Sequence, residues 1–491
     1  MPAARDVGAR FVAPAYPHPV RWALCTNRGR PAFRLTACPA ASSRKDQMTA
    51  QRLARDIIDR LRDLGHEAYL AGGCVRDMFL GRAPKDYDVA TDALPEQIEA
   101  CFPDSLAVGA KFGVVLVRSG EARVEVATFR RDHDYRDGRR PESVSFTRSA
   151  KEDVQRRDFT INGLLLDPLE GKYHDYVGGR GDLESRLIRA IGDPSERFTE
   201  DKLRMLRAVR FAAGLGFDIE NQTKEAIQAR SKEIGEISVE RIRDEISRIL
   251  TEGGARRGFE LLDETGLLGA VLPEVEAMKG VPQPPEFHPE GDVWTHTLLM
   301  LEQLDNPSVT LAFGVLLHDV GKPATIRFAE RIRFDGHVEE GVRLTVQILE
   351  RLRYAKAEIE QVTALVQHHM RCGHVTRMRE STLKKFLRLP AFGEHLELHR
   401  LDCLSSHRNL TNYDFVRGKQ AELPKEKLRP LRLITGEDLI AAGYAPGPAF
   451  KKILTAVEDA QLEGRLGTKA EAVTWVGERF EAPHGEGRCE V

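Results

Sequence analysis

The sequence predicts an α+β protein, with a small mixed β-sheet near its start and mainly helical regions after it. Between about residues 66 and 130, short runs alternate apolar and polar residues and are separated by glycine turns, which is typical of strands and hairpins. From residue 196 onward, longer segments repeat apolar residues every three or four positions, as amphipathic helices do. A chain of 491 residues has room for three or four domains.

Changes in pattern, with glycine-rich and proline-rich stretches between them, divide the chain into five segments. We expect a leader without a fold of its own, an α/β head, a helical neck and body, a fourth domain that begins in a proline-rich stretch, and a helical tail. In that order, the predicted segments are residues 1–47, 48–180, 181–280, 281–412 and 413–491.

The leader differs in composition from the rest of the chain. Residues 1–47 contain eight Lys or Arg residues, two acidic residues and no helical or strand period. An arginine-rich leader that is poor in acids can be a transit peptide, but we favour a start site assigned too early, with translation beginning at Met48. We therefore expect residues 1–47 to be disordered, and we assign no function to them.

Composition and charge exclude some classes of protein. Charged residues make up 30% of the chain, and the formal net charge is −2. A neutral total does not exclude RNA as a partner, because local basic faces decide such binding. Seven cysteines form no CxxC pair, which favours a reducing cytoplasm over secretion. No apolar run approaches the length of a membrane span, so we predict a cytoplasmic protein that does not enter a membrane.

Two aspartates, Asp86 and Asp88, stand one residue apart after a turn that contains two glycines. We predict a strand over residues 85–90, and alternation along it directs both carboxylates to one face. Adjacent carboxylates repel each other unless a cation neutralises them, and Mg²⁺ takes such oxygen ligands together with phosphate oxygens. Gly73 would let the backbone approach a phosphate closely, and Arg76 would supply a positively charged guanidinium for a triphosphate. The pattern predicts a metal-dependent phosphoryl-transfer site, although a lone DxD pair is also common on surface strands.

The rest of the head is predicted from alternating runs. GVVLVRSG and ARVEVATFR flank a glycine turn and predict a hairpin. Its second strand carries Glu125, which either pairs beside the aspartate strand as a third acidic group or is an ordinary surface residue. The polar residues 130–150 that follow predict a mobile loop.

An arginine-rich segment follows the head. Residues 196–217 have the pattern of one helix, along which Asp201, Arg204, Arg207 and Arg210 recur every three residues. Such a stripe is usually a solvated face with salt bridges. The functional alternative is base selection, because a carboxylate and a guanidinium match the exocyclic amine and ring nitrogen of cytosine and adenine but clash with guanine and uracil.

Histidines and aspartates recur through residues 281–412 with a spacing that suits a metal. An HD pair, His318 and Asp319, follows an apolar helical run, with His296 upstream and Asp402 downstream. Imidazole and carboxylate ligands suit a divalent transition metal that lowers the pKa of a bound water. A single histidine on a helix is more often structural, but here a complete series occurs in order.

The motifs of the head and neck together resemble those of the class II tRNA nucleotidyltransferases, or CCA-adding enzymes, and of the bacterial poly(A) polymerases. They are GGCVRD and DYD within residues 72–88, RRDFTING at 156–163 and EDKLRMLRAVRF at 200–211. The family usually has alanine where this chain has Gly163. By this resemblance Asp86 and Asp88 are the catalytic residues and hold Mg²⁺.

The resemblance also implies which residues bind the nucleotide. Arg157 would contact the triphosphate and Asn162 the ribose, and SVERIRDEISRIL (238–250) would support the preceding helix. Asp201 and Arg204 would select the base. The full set of expected nucleotide-binding residues is Gly73, Arg76, Arg157, Asn162, Asp201, Arg204, Arg207 and Arg210.

The second series resembles the HD phosphohydrolase superfamily. Some CCA-adding enzymes with such a domain hydrolyse phosphate monoesters and 2′,3′-cyclic phosphates, whereas in others the domain mainly supports RNA binding, and the sequence leaves both alternatives open. The identity of the metal is open too. The resemblance implies a primary set of His296, His318, Asp319 and Asp402, with His337 and His368 completing a second metal position.

The function implied by these resemblances is template-independent addition of C, C and A to the 3′ end of tRNA from CTP and ATP, with release of pyrophosphate. The expected partners are tRNA, ATP and CTP, and nothing indicates an obligate protein partner. The tail resembles the C-terminal RNA-binding segment of CCA-adding enzymes, with a packed helical cap as the alternative. The rival functions are a poly(A) polymerase or an enzyme that adds only A or only CC, an HD phosphohydrolase whose head only binds nucleotide, and a non-catalytic RNA-binding factor.

Overall fold

A computed structural model describes residues 49–109, 112–133, 143–286 and 288–481. The disorder predicted for residues 1–47 concerns a segment outside this part of the chain. The strands are Ala68–Ala71 (β1), Asp88–Thr91 (β2), Ser105–Gly109 (β3), Val114–Ser119 (β4), Ala122–Thr128 (β5), Arg130–His133 (β6), Ser143–Phe146 (β7), Leu164–Asp167 (β8), Lys172–Asp175 (β9), Leu187–Ile188 (β10), Asp218–Ile219 (β11), Arg327–Phe328 (β12) and Ile332–Arg333 (β13).

Helices make up most of the chain after the head. The helices are Ala50–Asp63 (α1), Gly73–Phe79 (α2), Pro95–Cys101 (α3), Ala150–Gln155 (α4), Gly179–Ser185 (α5), Pro194–Glu200 (α6), Leu203–Leu215 (α7), Asn221–Arg230 (α8), Val239–Thr251 (α9), Ala255–Glu264 (α10), Leu267–Val271 (α11), Pro273–Glu276 (α12), Val293–Glu302 (α13), Val309–Leu317 (α14), Lys322–Thr325 (α15), His337–Arg351 (α16), Lys356–His368 (α17), Glu380–Leu387 (α18), Phe392–Ser405 (α19), Thr411–Glu422 (α20), Lys425–Leu428 (α21), Gly436–Ala441 (α22), Pro448–Leu462 (α23) and Lys469–Arg479 (α24). Tighter 3₁₀ turns span Thr160–Asn162, Ser231–Glu236 and His369–Arg377.

Seven strands form one mixed sheet in the described part of the head, in the order β3-β4-β5-β2-β1-β8-β9. β2 and β5 run parallel, and the other neighbouring strands run antiparallel. β4 and β5 form the predicted hairpin, in which Val115, Val117, Val124 and Val126 are buried as their alternation requires. The predicted α+β fold, with a mixed sheet in the head and helices after it, is confirmed.

The predicted strand over residues 85–90 is wrong at its start. β2 begins at Asp88, and Asp86 lies in an exposed bend before it. The physical reason is the neighbouring strand: β1 ends at Ala71, opposite Asp88, and Gly72 then turns the chain away with a φ of 74°. Residue 86 therefore has no partner on β1, and period-two alternation does not fix its direction.

The mobile loop predicted over residues 130–150 is also wrong at both ends. β6 and β7 pair in register from Arg130 opposite Phe146 to His133 opposite Ser143, and α4 begins at Ala150. Residues 134–142, the middle of the predicted loop, lie outside the described residues.

The single helix predicted over residues 196–217 is two helices, α6 and α7, with a break at Asp201. The Asp201 backbone is extended, with φ −144° and ψ 102°, and its carboxylate accepts a hydrogen bond from the backbone N–H of Leu203 at 3.1 Å. An aspartate that bonds to the backbone two residues later competes with the helix for that donor. The helix is therefore broken by Asp201 itself, which is a member of the motif at residues 200–211.

One hydrophobic core runs through most of the described chain. Its buried residues extend from Leu53 in α1 to Leu401 in α19. α9 lies within this core, buries Ile242, Ile246 and Ile249, and packs against α7, α10 and α14. Among the described residues, three smaller clusters lie within residues 372–416, within residues 434–476, and around Phe129 in the head. The segment boundaries between 180 and 412 stay predictions, because the core continues across them.

The tail consists of helices separated by turns, as predicted. α22 is followed by a turn over residues 442–447, and α23 then spans 15 residues before α24 begins. Among the described residues, no helix combines the length and apolar character that crossing a bilayer would need.

Candidate active site and metal centre

Two carboxylates meet at one end of the head sheet. The parallel register of β2 and β5 places Asp88 directly beside Glu125, which decides between the two alternatives that the sequence left open for Glu125. Burial and the charges of Glu125 and Asp86 together raise the pKa of Asp88 to about 6, although the Arg157 guanidinium opposes the rise. Crowded carboxylates of this kind suit a hard divalent cation, because the cation supplies the charge that the protein does not.

The glycine turn brings backbone close to these acids. At Gly72 the φ of 74° and the neighbours both favour glycine: an added Cβ would lie 3.3 Å from Nη1 of Arg157 and 3.9 Å from Oδ2 of Asp88. Gly73 begins α2, and three residues later Arg76 donates from Nη1 to Oδ1 of Asn162 at 2.9 Å. The turn thus brings backbone close to the side chains of Arg76, Arg157 and Asp88.

These groups open into a cavity of about 1060 Å³ between the end of the sheet and helices α7 and α9. Asp86 and Arg210 are not part of its wall. The predicted residues that line it are Gly73, Arg76, Asp88, Arg157, Asn162, Asp201, Arg204 and Arg207.

Asp158, which the sequence analysis does not single out, connects both sides of this cavity. Its carboxylate accepts from Nε of Arg207 at 2.9 Å and from Nδ2 of Asn162 at 3.1 Å. Burial would raise the pKa of Asp158, but the Arg207 charge and these hydrogen bonds outweigh it and lower the pKa to about 2. Since Asn162 also accepts from Arg76, a hydrogen-bonded chain runs from α2 to α7. The motif RRDFT includes Asp158, but the sequence alone does not distinguish this residue from its neighbours. Its hydrogen-bond partners in the folded chain do.

Asp201 and Arg204 both line the cavity, but their side chains do not bond to each other. Arg204 is buried and donates from Nη1 to Glu200 at 2.6 Å. Asp201 accepts from Nη2 of Arg241 at 2.8 Å, and Nη1 of Arg241 is buried without a hydrogen-bond partner among the described residues. Each of the two side chains is therefore held by another residue, and Arg241 adds a donor that lines the same cavity.

Arg241 is missed by the sequence analysis, which gives its helix, α9, a supporting function only. Several arginines occur on that helix, and no local pattern separates Arg241 from Arg243 or Arg248. Their different surroundings appear only when α9 is packed: Arg243 donates to the backbone oxygen of Arg353, 110 residues away.

Arg210 lies behind the cavity rather than in it. Its Nε donates to Oε2 of Glu245 on α9 at 2.7 Å, and its guanidinium carbon lies 4.2 Å from the centre of the Phe211 ring. Residues three apart rotate around a helix by about 300° per step, so the stripe drifts and its last member turns away. Arg210 is thus placed to hold α7 on α9.

The histidines and aspartates of residues 281–412 converge on a second, buried point. Asp319 lies at the centre: its Oδ2 is 3.1 Å from Nε2 of His318, and its Oδ1 is 3.8 Å from Nε2 of His369 and 4.0 Å from Nε2 of His337. Nε2 of His296 lies 3.3 Å from Oδ1 of Asp402. All four residues of the expected primary set, and His337, are brought together.

His369, not His368, joins this cluster, which corrects the predicted second position. α17 ends at His368, and the ring of His368 lies 6.0 Å from that of His395. Consecutive residues at a helix end point about 100° apart, so only one of the two histidines can face Asp319. The letters HH contain no information on which one does.

The imidazole orientations fit metal ligation. Nδ1 of His318, His337 and His369 each lies 2.7–2.8 Å from the carbonyl oxygen three residues earlier, on Val315, Phe334 and Val366. A carbonyl only accepts, so Nδ1 carries the proton and the Nε2 lone pair points into the cluster. Those Nε2 atoms are buried without a hydrogen-bond partner among the described residues. Buried lone pairs that converge beside carboxylates are what a divalent metal requires.

The proline-rich stretch before α13, which the sequence predicts only as a domain boundary, contributes further residues to the surroundings of this cluster. Oε1 of Glu290 lies 2.6 Å from Nδ1 of His296 and 2.8 Å from Nδ1 of His288, so Glu290 orients His296 as carboxylates behind metal-binding histidines do. Lys322 donates to Oδ2 of Asp319 and to Oε1 of Gln283, both at 2.6 Å.

Family models match three parts of the chain. Residues 68–189 match the poly A polymerase head domain, residues 216–279 match the RNA and SrmB-binding site of polymerase A, and residues 341–476 match tRNA nucleotidyltransferase domain 2. The first two matches contain Asp88, Glu125, Asp158 and Arg241 of the cavity, whereas Asp201, Arg204 and Arg207 lie between them.

Curated relatives agree with these matches. A CCA-adding enzyme of Geobacillus thermodenitrificans is 48% identical over 214 residues, which are 44% of this chain and 53% of that protein; the match thus spans about half the length of that relative. A CCA-adding enzyme of Limosilactobacillus fermentum is 32% identical over 415 residues, which cover 84% of this chain and 93% of that protein. Among solved structures, the Bacillus stearothermophilus CCA-adding enzyme in complex with CTP superposes with a TM-score of 0.68 at 28% identity, covering 88% of this chain and 98% of that one.

Proposed function

The chain belongs to the CCA-adding enzyme family, and from this premise we propose that it adds C, C and A in turn to the 3′ end of tRNA, using CTP and ATP and releasing pyrophosphate. The observation that carries the proposal is one cavity that is lined both by the Asp88 and Glu125 carboxylates of the head sheet and by Asp201, Arg204 and Arg241 of the helical segment after it. The first group offers ligands for a metal, and the second offers an acceptor and donors for the edge of a base.

Asp86 and Asp88, joined by Glu125, would hold Mg²⁺ in this proposal. Bound Mg²⁺ would neutralise the triphosphate and favour attack by the tRNA 3′-hydroxyl on the α-phosphate. The chain's own residues would position the reactants: Arg76 and Arg157, which line the cavity, would contact the triphosphate, and Asn162 would contact the sugar. The glycine turn lets the phosphates approach the backbone without a Cβ between them.

Base selection is supported by the hydrogen-bonding capacity that remains at Asp201 and Arg204. Within the described residues, Arg204 uses three of its five N–H donors, on Arg197, Glu200 and Arg156, so two remain for a ring nitrogen. The Asp201 carboxylate accepts two bonds and keeps lone pairs for an exocyclic amine. Cytosine and adenine satisfy both groups, whereas guanine and uracil present a carbonyl and an N–H to the wrong partners.

The test is extension of two tRNA transcripts, one that lacks CCA and one that ends in CC, with each labelled nucleotide alone and with CTP and ATP together. Growth by C, C and A followed by arrest is the expected result. A long A ladder on any RNA would indicate a poly(A) polymerase, and addition of A to the CC-ending transcript alone would indicate an A-adding enzyme. Failure to extend either transcript would contradict the proposal.

A second candidate function is metal-dependent hydrolysis of phosphate esters at RNA ends, and the converging Nε2 atoms around Asp319 favour it. His296, His318, Asp319 and Asp402 would hold one divalent transition metal, and His337 and His369 would complete a second position. A metal held there would lower the pKa of its bound water. Lys322, whose ammonium lies between Asp319 and Gln283, would offset the charge of a bound phosphate.

Two adjacent histidines provide a matched test of this centre. We expect His369→Ala to lower the metal content of the purified full chain, measured by elemental mass spectrometry, whereas His368→Ala keeps the parental content. Hydrolysis of a 2′,3′-cyclic phosphate should follow the metal content. Equal metal loss from both variants, or from neither, would contradict the proposed ligand set.

We also propose that these activities follow the predicted segments, with nucleotide addition in residues 48–280, the HD-type centre in 281–412 and RNA binding in 413–491. The free thiols of Cys74, Cys372 and Cys403 are buried and unpaired, which supports action in a reducing compartment such as the cytoplasm.

A further inference from the structure

β12 and β13 form a short hairpin that is tied to the second centre at its base. Lys322 opens the helix before the hairpin, and His337 opens the helix after it. Phe334, the residue after β13, holds both: its carbonyl accepts from Nδ1 of His337 at 2.8 Å, and its ring centre lies 5.2 Å from Nζ of Lys322. The position of the hairpin is thus coupled to two residues of the cluster around Asp319.

The hairpin presents an unusual charge arrangement. Arg327 and Arg333 stand directly opposite each other in the ladder, and both are exposed. Neither guanidinium has a hydrogen bond or ion pair within the described part of the chain, and Arg331 in the connecting turn is exposed and similarly unpaired. Like charges directly opposite each other destabilise a strand pair, so the arrangement becomes favourable only when an anion joins them.

The other face of the hairpin is apolar and open. Phe328 pairs with Ile332 in the ladder, and 74% of Phe328 is exposed. Residues opposite each other share one face of an antiparallel pair and alternate along each strand, so the arginines occupy one face and Phe328 the other. The two-stranded ribbon therefore presents two guanidinium groups on one face and an aromatic ring on the other.

We propose that this hairpin binds single-stranded RNA and presents its 3′ end to the metal centre around Asp319. Guanidinium forks match phosphate oxygens, and an exposed ring stacks with bases of any sequence. The RNA phosphate backbone would lie along the face that carries Arg327 and Arg333, and a neighbouring base would stack on Phe328 on the opposite face. The inference rests on the proposed hydrolytic function of that centre, since it names how an RNA substrate is held there. An acidic protein surface would satisfy the arginines but would leave the exposed ring without a stacking partner.

The test is binding of a 12-nucleotide single-stranded RNA that ends in a 2′,3′-cyclic phosphate, measured by fluorescence anisotropy over a range of salt concentrations on the full chain. The double variant R327Q/R333Q should weaken binding about tenfold, and loss of two phosphate contacts should reduce the slope of log Kd against log salt by about 1.4. F328S should weaken binding by a similar factor with an unchanged slope, because stacking does not release counterions.

The matched control is R343Q/K356Q. It removes the same charge from the same segment, but Arg343 and Lys356 already pair with Glu340 and Glu360, so RNA affinity should stay parental. Unchanged affinity and slope in R327Q/R333Q, or an equal loss in the control, would overturn the proposal.

Hydrolysis separates this inference from the function on which it rests. R327Q/R333Q should raise KM for the RNA about tenfold and leave KM for a cyclic mononucleotide unchanged, because the mononucleotide is too short to reach the hairpin. If the parent hydrolyses neither substrate, the proposed hydrolytic function fails, and the anisotropy result alone then decides whether the hairpin binds RNA.

Discussion

Charged side chains at the cavity are held by partners that are distant in sequence. Asp158 binds Arg207, 49 residues away, and Asp201 binds Arg241, 40 residues away. Each pair fixes a group that would otherwise have several rotamers, so the site is ordered before a nucleotide enters. Ordering of this kind is required if one acceptor and one donor are to distinguish bases by a few hydrogen bonds.

At the residue scale, Asp158→Asn should lower the free energy of unfolding at pH 7 by about 2 kcal/mol, because the pKa of Asp158 falls from 3.8 to about 2 on folding and one pKa unit corresponds to about 1.4 kcal/mol. A carboxyl with a lowered folded pKa stabilises the fold above its unfolded pKa. The contribution should therefore be present at pH 7 and disappear as the pH falls from about 4 to about 2.

Urea unfolding of Asp158→Asn and the parent at pH 7 and at pH 3 checks this expectation. Asp59→Asn, at an exposed position of α1, is the control and should stay within about 0.5 kcal/mol of the parent. An equal free-energy difference at both pH values would contradict the linkage to Asp158.

Arg241→Gln should loosen base selection. It removes the charged donor that holds Asp201, and charged hydrogen bonds of this kind contribute about 1.5–3 kcal/mol. We expect KM for CTP to rise at least about tenfold, with detectable incorporation of U or G. Single-nucleotide extension with all four nucleotides measures both, and Arg248→Gln, more than half exposed on the same helix, should match the parent. Parental selectivity in Arg241→Gln would remove Arg241 from the selection site.

At the scale of elements, α9 connects the two centres. One side of it carries Arg241 and Glu245, which hold Asp201 and Arg210. Another side packs against α14 and against the connection between α16 and α17, where Oγ of Ser247 lies 2.5 Å from the hydroxyl of Tyr354. Support for the residues proposed to select the base therefore comes from an element that is itself fixed by residues more than 100 positions later.

Glu245→Gln should destabilise the fold through α9. Glu245 is 4% exposed and pairs with Arg210, and breaking a buried pair leaves one charge without its partner, at a cost of about 3 kcal/mol. The adjacent Asp244→Asn is a matched control, since the Asp244 side chain is 61% exposed and its loss should cost less than about 0.5 kcal/mol. Thermal and urea unfolding of both variants would decide, and equal stabilities would show that the Glu245 pair contributes little.

At the scale of the whole molecule, the two centres use different ligands and lie in different segments. Asp88→Asn should reduce nucleotide addition by at least about 10²–10³-fold while the metal content of the second centre stays parental. His318→Ala should show the converse, with metal lost from the second centre and CCA addition retained. Extension assays and elemental analysis of both variants check this independence, and loss of both properties in either variant would show that the centres depend on each other.

Local patterns are enough to predict much of this molecule. The β4–β5 hairpin and the convergence of His296, His318 and Asp319 follow from alternation, spacing and resemblance, whereas the sequence left two alternatives open for Glu125. These features depend on side-chain periods and on motif order, which are properties of neighbouring residues.

Packing alone decides the remainder. It selects His369 over His368, assigns Arg241 and Asp158 to the cavity, and turns Arg210 away from the cavity. Each of these outcomes depends on the rotation of one helix relative to another, or on a hydrogen bond between residues far apart in the chain. A short segment contains no information on either, because its pattern is the same whichever neighbour it meets in the folded protein.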